Sequence, residues 1–276
     1  MKCETCVYDS PFDDQLYLRK YDNKKYCSQC ASNMVGWDRV KVPKNKKQYV
    51  GIELELMPVN LDKPKPIWHK KSDGSLNVGG IELVLEKPLT VLTAKTEVKR
   101  LARLLKFGKS YTDNHCGYHL HLDCTSLSHE QVFYFLKFAY RIQESAFSLV
   151  KKERGNCCFS MKFNSSVEQP LVQATKDLAG LQALLYYKRN ITNSRYYWFN
   201  MASYFKRQTI EIRHHHGSVC EKEINNWVEL WTKLLQFITT VNPVIDNQDI
   251  LYWAQRAGVK DSTIDFYYKQ REKFSE

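Results

Sequence analysis

Three short segments, far apart in the chain, each carry acidic or histidine side chains two residues apart. They are Gly51-Ile52-Glu53-Leu54-Glu55-Leu56, Gly117-Tyr118-His119-Leu120-His121-Leu122 and Thr209-Ile210-Glu211-Ile212-Arg213-His214-His215-His216. In a β-strand, residues i and i+2 point to the same face, so each segment turns its polar pair to one side. Carboxylates and imidazoles bind divalent metal ions, and an arginine fork binds phosphate oxygens. The three segments therefore predict three strands that form the floor of one active site.

A solvated strand face is the simpler explanation for any one of these alternating segments. Three pairs of nearly the same composition favour a site instead. Glycine lies beside two of the pairs (Gly51 and Gly117) and follows the third (Gly217). Because glycine permits close backbone approach or a tight turn, its position supports the same interpretation.

The order of these and other residues resembles that in the amidoligases, relatives of glutamine synthetase and glutamate–cysteine ligase. The matching segments are Glu53 and Glu55 after Gly51, Asp73-Gly74-Ser75-Leu76, Gly80-Ile81-Glu82-Leu83 before Lys87-Pro88-Leu89, the Gly117-x-His119-x-His121 strand, Arg195 with Asn200, and Glu211-x-Arg213-x-His215-x-Gly217. The resemblance spans roughly residues 48 to 220. It implies a glutamine synthetase-like catalytic fold and an ATP-dependent enzyme that forms an amide or isopeptide bond.

The resemblance also implies a role for each matching residue. The active-site metal ligands would be Glu53, Glu55, Glu82, His119 and Glu211. The catalytic residues would be Arg195 and Arg213, which contact the transferred phosphate, together with Asp73 and His215. The residues that bind ATP would be Ser75, His121, Asn200 and Arg154.

The residue types suit the chemistry of such a ligase. Joining a carboxylate to an amine in water requires an activated acyl group, and ATP provides it by phosphorylating the carboxylate. The site then needs divalent ions on the polyphosphate and a cation on the transferred phosphoryl group. Carboxylates suit Mg²⁺, and a histidine among them also suits Mn²⁺. The expected substrates are a small-molecule or peptide carboxylate and an amine, whose identities the sequence does not specify.

The histidine run in the third segment is not predicted to be a zinc site. Strand alternation places His215 on the face of Glu211 and Arg213 and turns His214 and His216 away. Replacing His214 by alanine is accordingly expected to be nearly neutral.

Four cysteines near the N-terminus form two Cys-x-x-Cys pairs: Cys3, Cys6, Cys27 and Cys30. This spacing predicts a structural zinc site in a zinc-ribbon or treble-clef-like module over residues 1–43, and two unrelated pairs of buried cysteines are the alternative. Residues 44–276 would form the catalytic domain. True glutamine synthetases have an amino-terminal β-grasp domain where this chain has the cysteine module, which leaves the amine site and the oligomeric state open.

Hydrophobic periodicity predicts the elements that hold the site. Expected strands are 49–57, 81–85 and 118–123, with a hairpin of 196–205 and 209–214. Expected helices are 93–106, 128–151, 221–240, 246–256 and 262–273. The second of these helices begins with a capping box, Ser128-His129-Glu130-Gln131. The fold class is therefore α+β, with a curved, mainly antiparallel sheet covered by helices.

Composition limits the other functions. The net charge is +11, but the lysines are dispersed and no nucleic-acid-binding motif accompanies them. There is no apolar run of the ~18 residues that span a membrane and no secretory signal, so we expect a cytoplasmic protein without a membrane partner. Two alternatives remain: a nucleic-acid- or protein-binding module on a ligase-derived scaffold, and a metal-dependent hydrolase or nucleotidyltransferase.

Overall fold

The computed structural model describes residues 17–18, 25–26, 47–59, 67–72, 74–156, 158–161, 165–177, 180–191 and 194–275. These residues form a mixed α+β fold with a curved, open, antiparallel sheet of seven strands and eight α-helices. The predicted α+β class is confirmed. A separate antiparallel pair is formed by β1 (Tyr17–Leu18) and β2 (Lys25–Tyr26). The four cysteines predicted to bind zinc lie outside the described residues.

The three polar-pair segments form adjacent strands in the middle of the sheet. Its strands are β3 (Tyr49–Leu56), β4 (Trp68–Lys71), β5 (Ile81–Leu85), β6 (Leu89–Thr90), β7 (Gly117–Asp123), β8 (Phe199–Asn200) and β9 (Thr209–His216). The strand order is β4-β5-β3-β7-β9-β8, and β6 pairs with the start of β3. The register places Glu53 opposite His119 and His121 opposite Glu211. Because opposed residues share a face, the polar pairs of all three strands lie on one side of the sheet.

The other face of the sheet carries the hydrophobic core. The helices are α1 (Val91–Phe107), α2 (His129–Phe147), α3 (Ser165–Asp177), α4 (Gly180–Asn190), α5 (Ala202–Arg207), α6 (Glu221–Val241), α7 (Ile250–Arg256) and α8 (Asp261–Ser275). Phe135 of α2 contacts both Phe199 of β8 and Trp231 of α6. Leu54 and Leu120, which alternate with the polar residues of β3 and β7, are fully buried in the same core. Across the ranges given above, we find no helix that combines the length and apolar character needed to cross a membrane.

Several elements depart from the predictions. The capping box of α2 is confirmed, because Ser128 Oγ accepts from Gln131 N–H and Ser128 N–H donates to Gln131 Oε1. The hairpin predicted from residue 196 is confirmed only as the antiparallel pairing of β8 with β9; its first strand is wrong, because β8 has two residues and the short helix α5 follows it. Asn200 stops the strand, since its Oδ1 accepts from Ala202 N–H at 2.8 Å and so starts the helical turn. Helices α3 and α4 and strand β4 were not predicted.

Candidate active site

His119 lies at the centre of the polar face and contacts a carboxylate from each of three glutamates. Its Nδ1 is 3.4 Å from Glu53 Oε2 and 3.6 Å from Glu211 Oε1, and its Nε2 is 3.7 Å from Glu55 Oε1. The neighbouring His121 places its Nε2 3.2 Å from Glu53 Oε1. The structure thus brings together side chains from β3, β7 and β9, as their spacing predicted.

These side chains form two overlapping sets of potential metal ligands. One set is Glu53, His121 and Glu211, and the other is Glu53, Glu82 and His119. Within each set, one ligand atom from every residue lies within 4.8 Å of the others. Glu82 reaches the second set from β5, where it is opposite Glu55. Because Glu53 belongs to both sets, the arrangement suits two neighbouring cations that share one carboxylate.

The electrostatic balance of the cluster depends on the histidines. Burial alone would raise the pKa of Glu53, but hydrogen bonds from His119 and His121 and their positive charges lower that pKa below its usual range. Burial likewise disfavours the cationic form of His121, whereas the hydrogen bond to Glu53 and the charges of Glu211 and Glu53 raise the pKa of His121. Adjacent positive charge therefore stabilises the ionised form of Glu53. A bound metal cation would stabilise the same form.

Glu211 is fixed by two neighbours. Asn200 Nδ2–H donates to Glu211 Oε2 at 2.6 Å, and the Arg213 guanidinium donates to Glu211 Oε1. Asn200 is 4% exposed and its own Oδ1 is used at the start of α5, so its amide cannot turn freely. The hydrogen bond from Asn200 thus fixes the orientation of Glu211 Oε2, and the other carboxylate oxygen, Oε1, faces His119 and Arg213.

The start of β7 is packed tightly between two charged side chains. The backbone N–H of Gly117 donates to Glu55 Oε2, and Arg154 Nη2–H donates to the Arg213 carbonyl at 3.0 Å. A Cβ atom at position 117 would lie 2.6 Å from Arg154 Nη2 and 3.0 Å from Glu55 Oε2. Glycine is required here because both charged groups occupy the space that a side chain would take.

A cleft of about 260 Å³ opens beside Glu53 and His121. Its lining includes Val84, Lys87, Pro88, Asp123, Arg207 and Thr209. Two cations, Lys87 and Arg207, thus border a space that ends at the carboxylate cluster. Sequence reasoning gave no role to either. Lys87 lay in a matching segment without an assigned role, and Arg207 ends α5, a helix too short to leave a periodic signal.

The histidine run differs from the prediction because β7 and β9 change register. Tyr118 is opposite His215 but Leu120 is opposite Ile212, so one residue of β7 faces two of β9. This bulge reverses the alternation. The ring of His215 consequently packs 4.6 Å from that of Trp227, on the helix-covered face. The prediction that His215 shares the face of Glu211 and Arg213 is wrong, and no role in the cluster remains for it.

His214 turns away from Arg213, as alternation predicted, but it enters the core rather than solvent. It is fully buried, with its ring 4.6 Å from Trp198 and 5.1 Å from Phe147. Burial lowers the pKa of His214 well below its ordinary value, and burial together with the charge of His216 lowers the pKa of His215 to about 3. That His214→Ala is nearly neutral for activity stays a prediction, but the loss of a ring that fills core volume should lower stability.

Two further candidates, Arg195 and Ser75, are not among the converging side chains. Arg195 is exposed, and its guanidinium lies over the Tyr196 ring, 4.6 Å from the centroid, and bonds the Tyr196 hydroxyl. Ser75 is exposed in the turn after β4. Asp73 lies outside the described residues. For these three, the roles suggested by the sequence remain predictions.

The fold and the cluster together define an α+β protein whose antiparallel sheet carries carboxylates and imidazoles on one polar face. A family model described as "putative amidoligase enzyme" matches residues 18–235, which is most of the chain. The chain belongs to this amidoligase family, and membership places it in the ligase class of enzymes. A comparison with curated proteins finds no match.

Proposed function

We propose that the protein is an ATP-dependent carboxylate–amine ligase that forms an amide or isopeptide bond through an acyl phosphate. The observation that carries this proposal is the pair of ligand sets that share Glu53. Phosphoryl transfer from ATP uses divalent ions to bridge the polyphosphate and to neutralise developing charge. Family membership supports the ligase class, and the shared carboxylate supports metal-dependent phosphoryl transfer within that class.

The donor atoms of the cluster fit Mg²⁺ or Mn²⁺. Each set contains two carboxylates and one imidazole, a combination that magnesium accepts with bound water and that manganese tolerates better. The ions, when bound, would supply Lewis-acid neutralisation of the phosphate oxygens. Glu53, Glu211 and His121 would hold one position, and Glu53, Glu82 and His119 the other. Glu55 is fixed beside them by the Gly117 N–H and adds negative charge.

The cations around the cluster divide into two groups. Arg213 pairs with Glu211, and its side chain is 28% exposed, so its guanidinium borders both the metal ligands and solvent. This position suits contact with the transferred phosphoryl group, where the planar fork can bond two oxygens at once. Lys87 and Arg207 border the cleft beside Glu53, where they would neutralise the remaining phosphates of ATP or an anionic substrate.

The carboxylate and the amine must meet away from bulk water, because water would hydrolyse the acyl phosphate. The cleft beside Glu53 has apolar walls from Val84 and Pro88 and polar groups from Asp123 and Thr209. Such a mixture suits a small-molecule or peptide substrate whose reacting end is charged. Deprotonation of the amine would require an acceptor near the cluster, and Asp123 is a carboxylate on this wall.

A nucleic-acid- or protein-binding module on the same scaffold is the second candidate, supported by the net charge of +11. The buried charges argue against it. Burying several carboxylates together is costly unless cations compensate them, and a surface used only for binding has no need of that cost. Glu55 and Glu211 are each about 5% exposed, so they are too enclosed to contact a large partner directly.

The test is ADP release from ATP in the presence of Mg²⁺ or Mn²⁺. Amino acids, polyamines, peptides and modified nucleotides would be screened as pairs of carboxylate and amine. The proposal requires that ADP release depend on both substrates and that Glu53→Gln abolish it. Glu272→Gln, at an exposed site in α8, is the matched control and should keep the wild-type rate. ADP release that needs neither substrate, or tight nucleic-acid binding without turnover, would contradict the ligase.

A further inference from the structure

A second group of metal-ligating side chains lies on the helix-covered side of the sheet. It consists of His215 and His216 at the end of β9 and Glu223 in the first turn of α6. One ligand atom from each lies within 4.8 Å of the others. The Glu53 cluster is on the opposite face, since His215 packs against Tyr118 and Trp227.

One ring nitrogen of His215 carries a lone pair that no group in the described part of the chain uses. Its Nδ1 is 2.6 Å from the carbonyl oxygen of His216. A carbonyl can only accept, so Nδ1 carries the hydrogen and Nε2 is the unprotonated nitrogen of the neutral ring. Within the described part of the chain, Nε2 has no hydrogen-bond partner, and the residue is fully buried. A histidine that donates one ring N–H to a backbone carbonyl and keeps the other nitrogen free has the arrangement of a metal ligand.

His216 and Glu223 complete the group. His216 Nε2 lies 2.9 Å from Glu223 Oε1. With metal–ligand bonds of about 2.1 Å, this separation corresponds to an angle of about 90° at a shared ion, which occurs in six-coordinate sites and needs only a small opening to become tetrahedral. A bound ion would replace the hydrogen-bonded proton between His216 Nε2 and Glu223 Oε1.

The carboxylate of Glu223 is itself held in position. Ser218 Oγ–H donates to its Oε2 at 2.5 Å, and Gln270 Nε2–H of α8 donates to its Oε1. Hydrogen bonds of this kind orient a ligating carboxylate. The Glu223 side chain is 14% exposed, and this leaves a path from solvent to the group.

We propose that His215, His216 and Glu223 bind one transition-metal ion of the zinc class, separate from the ions of the carboxylate cluster. Two imidazoles and one carboxylate favour Zn²⁺ or Co²⁺ over Mg²⁺, which prefers oxygen ligands. The ion joins the end of β9 to α6 and, through Gln270, to α8. Because β9 also carries Glu211 and Arg213, the site would anchor a strand of the active site from behind.

The experiment counts Zn²⁺ retained by the full-length chain after desalting, in a background with Cys27→Ser and Glu53→Gln. These changes weaken the predicted cysteine site and the carboxylate cluster. We expect one ion per chain in this background and none after a further His216→Ala or Glu223→Gln substitution. Glu229→Gln removes another buried α6 carboxylate, one that pairs with Lys95, and should keep the ion. Equal zinc in the His216→Ala and background chains, both folded by circular dichroism, would overturn the proposal.

A second measurement does not depend on the folding of these variants. X-ray absorption at the zinc edge of the background chain should show imidazole and oxygen scattering with no sulfur. Co²⁺ should replace the ion and give visible d–d absorption. Failure of the background chain to retain either ion would show that the three side chains form only a hydrogen-bonded network, and the proposal would fall. The two proposals fail separately. A chain with ligase activity but no bound ion would refute only the metal site, and a chain that binds the ion but lacks ligase activity would refute only the proposed function.

Discussion

Replacing Gly117 by alanine should damage the active site more than the fold. The new Cβ would lie 2.6 Å from Arg154 Nη2 and 3.0 Å from Glu55 Oε2, where ordinary contacts begin at 3.4 Å. Arg154 is 4% exposed and Glu55 is 5% exposed, so neither has free space to enter. The Arg154 guanidinium would have to retreat by about 0.8 Å, and Glu55 would lose its alignment with the Gly117 N–H.

The expected loss of activity follows from the displacement of Arg154 and Glu55. A misplacement of about 1 Å in a catalytic group costs on the order of a hundredfold in rate. We therefore expect Gly117→Ala to lower kcat for ADP release about a hundredfold. The free energy of unfolding should fall by about 1–3 kcal/mol, the usual cost of overpacking.

The assay compares steady-state ADP release with urea unfolding of the same preparations. Gly258→Ala is the control for lost stability: Gly258 has φ of 73° between α7 and α8, and nothing lies within 4 Å of a Cβ built there. An alanine there should cost about 1 kcal/mol through backbone strain and leave the rate unchanged. If Gly117→Ala kept the wild-type rate, or if Gly258→Ala lost as much activity, the account of a tightly positioned Glu55 and Arg154 would be wrong.

Other predictions follow from single contacts. Arg213→Lys keeps the charge but lacks the paired donors, so kcat should fall at least about tenfold with little change in melting temperature, and a wild-type kcat would refute the phosphate contact. His214→Ala leaves a cavity beside Trp198, and we expect a loss of about 3 kcal/mol in urea unfolding with no loss of activity per folded molecule. Burial lowers the pKa of His214 in the folded state, so below about pH 6.5 the unfolded chain binds a proton that the folded chain does not bind. The free energy of unfolding should therefore fall by up to about 1.4 kcal/mol for each pH unit below 6.5, and His214→Phe should reduce that slope.

The site could be predicted from sequence where strand alternation stayed regular. Glu53, His119 and His121 lie on strands whose period is two, and cross-strand pairing then brings them together. The rule fails at His215, because the extra residue of a β-bulge leaves no signal in the order of residue types. A bulge is set by the pairing of two strands, which a single strand's pattern does not contain.

The cations that border the cleft could not be predicted, because one of them lies on a helix that leaves no periodic signal. Arg207 reaches the cleft from a six-residue helix, which is shorter than two helical turns and shows no hydrophobic period. Asn200 determines where that helix starts through one side-chain hydrogen bond, and the same amide binds Glu211. Contacts of this kind depend on tertiary position, which the residue pattern of 196–205 does not contain, so the strand predicted over that range is too long.

The most direct test of the central claim follows oxygen atoms from the carboxylate. A carboxylate substrate labelled with ¹⁸O would be incubated with ATP, the amine and Mg²⁺, and the released phosphate would be analysed by mass spectrometry. An acyl phosphate requires that one carboxylate oxygen leave with the phosphate, so each phosphate should carry one ¹⁸O, and Glu53→Gln should release none. Phosphate without the label, or release of AMP and pyrophosphate in place of ADP, would contradict a ligase that works through an acyl phosphate.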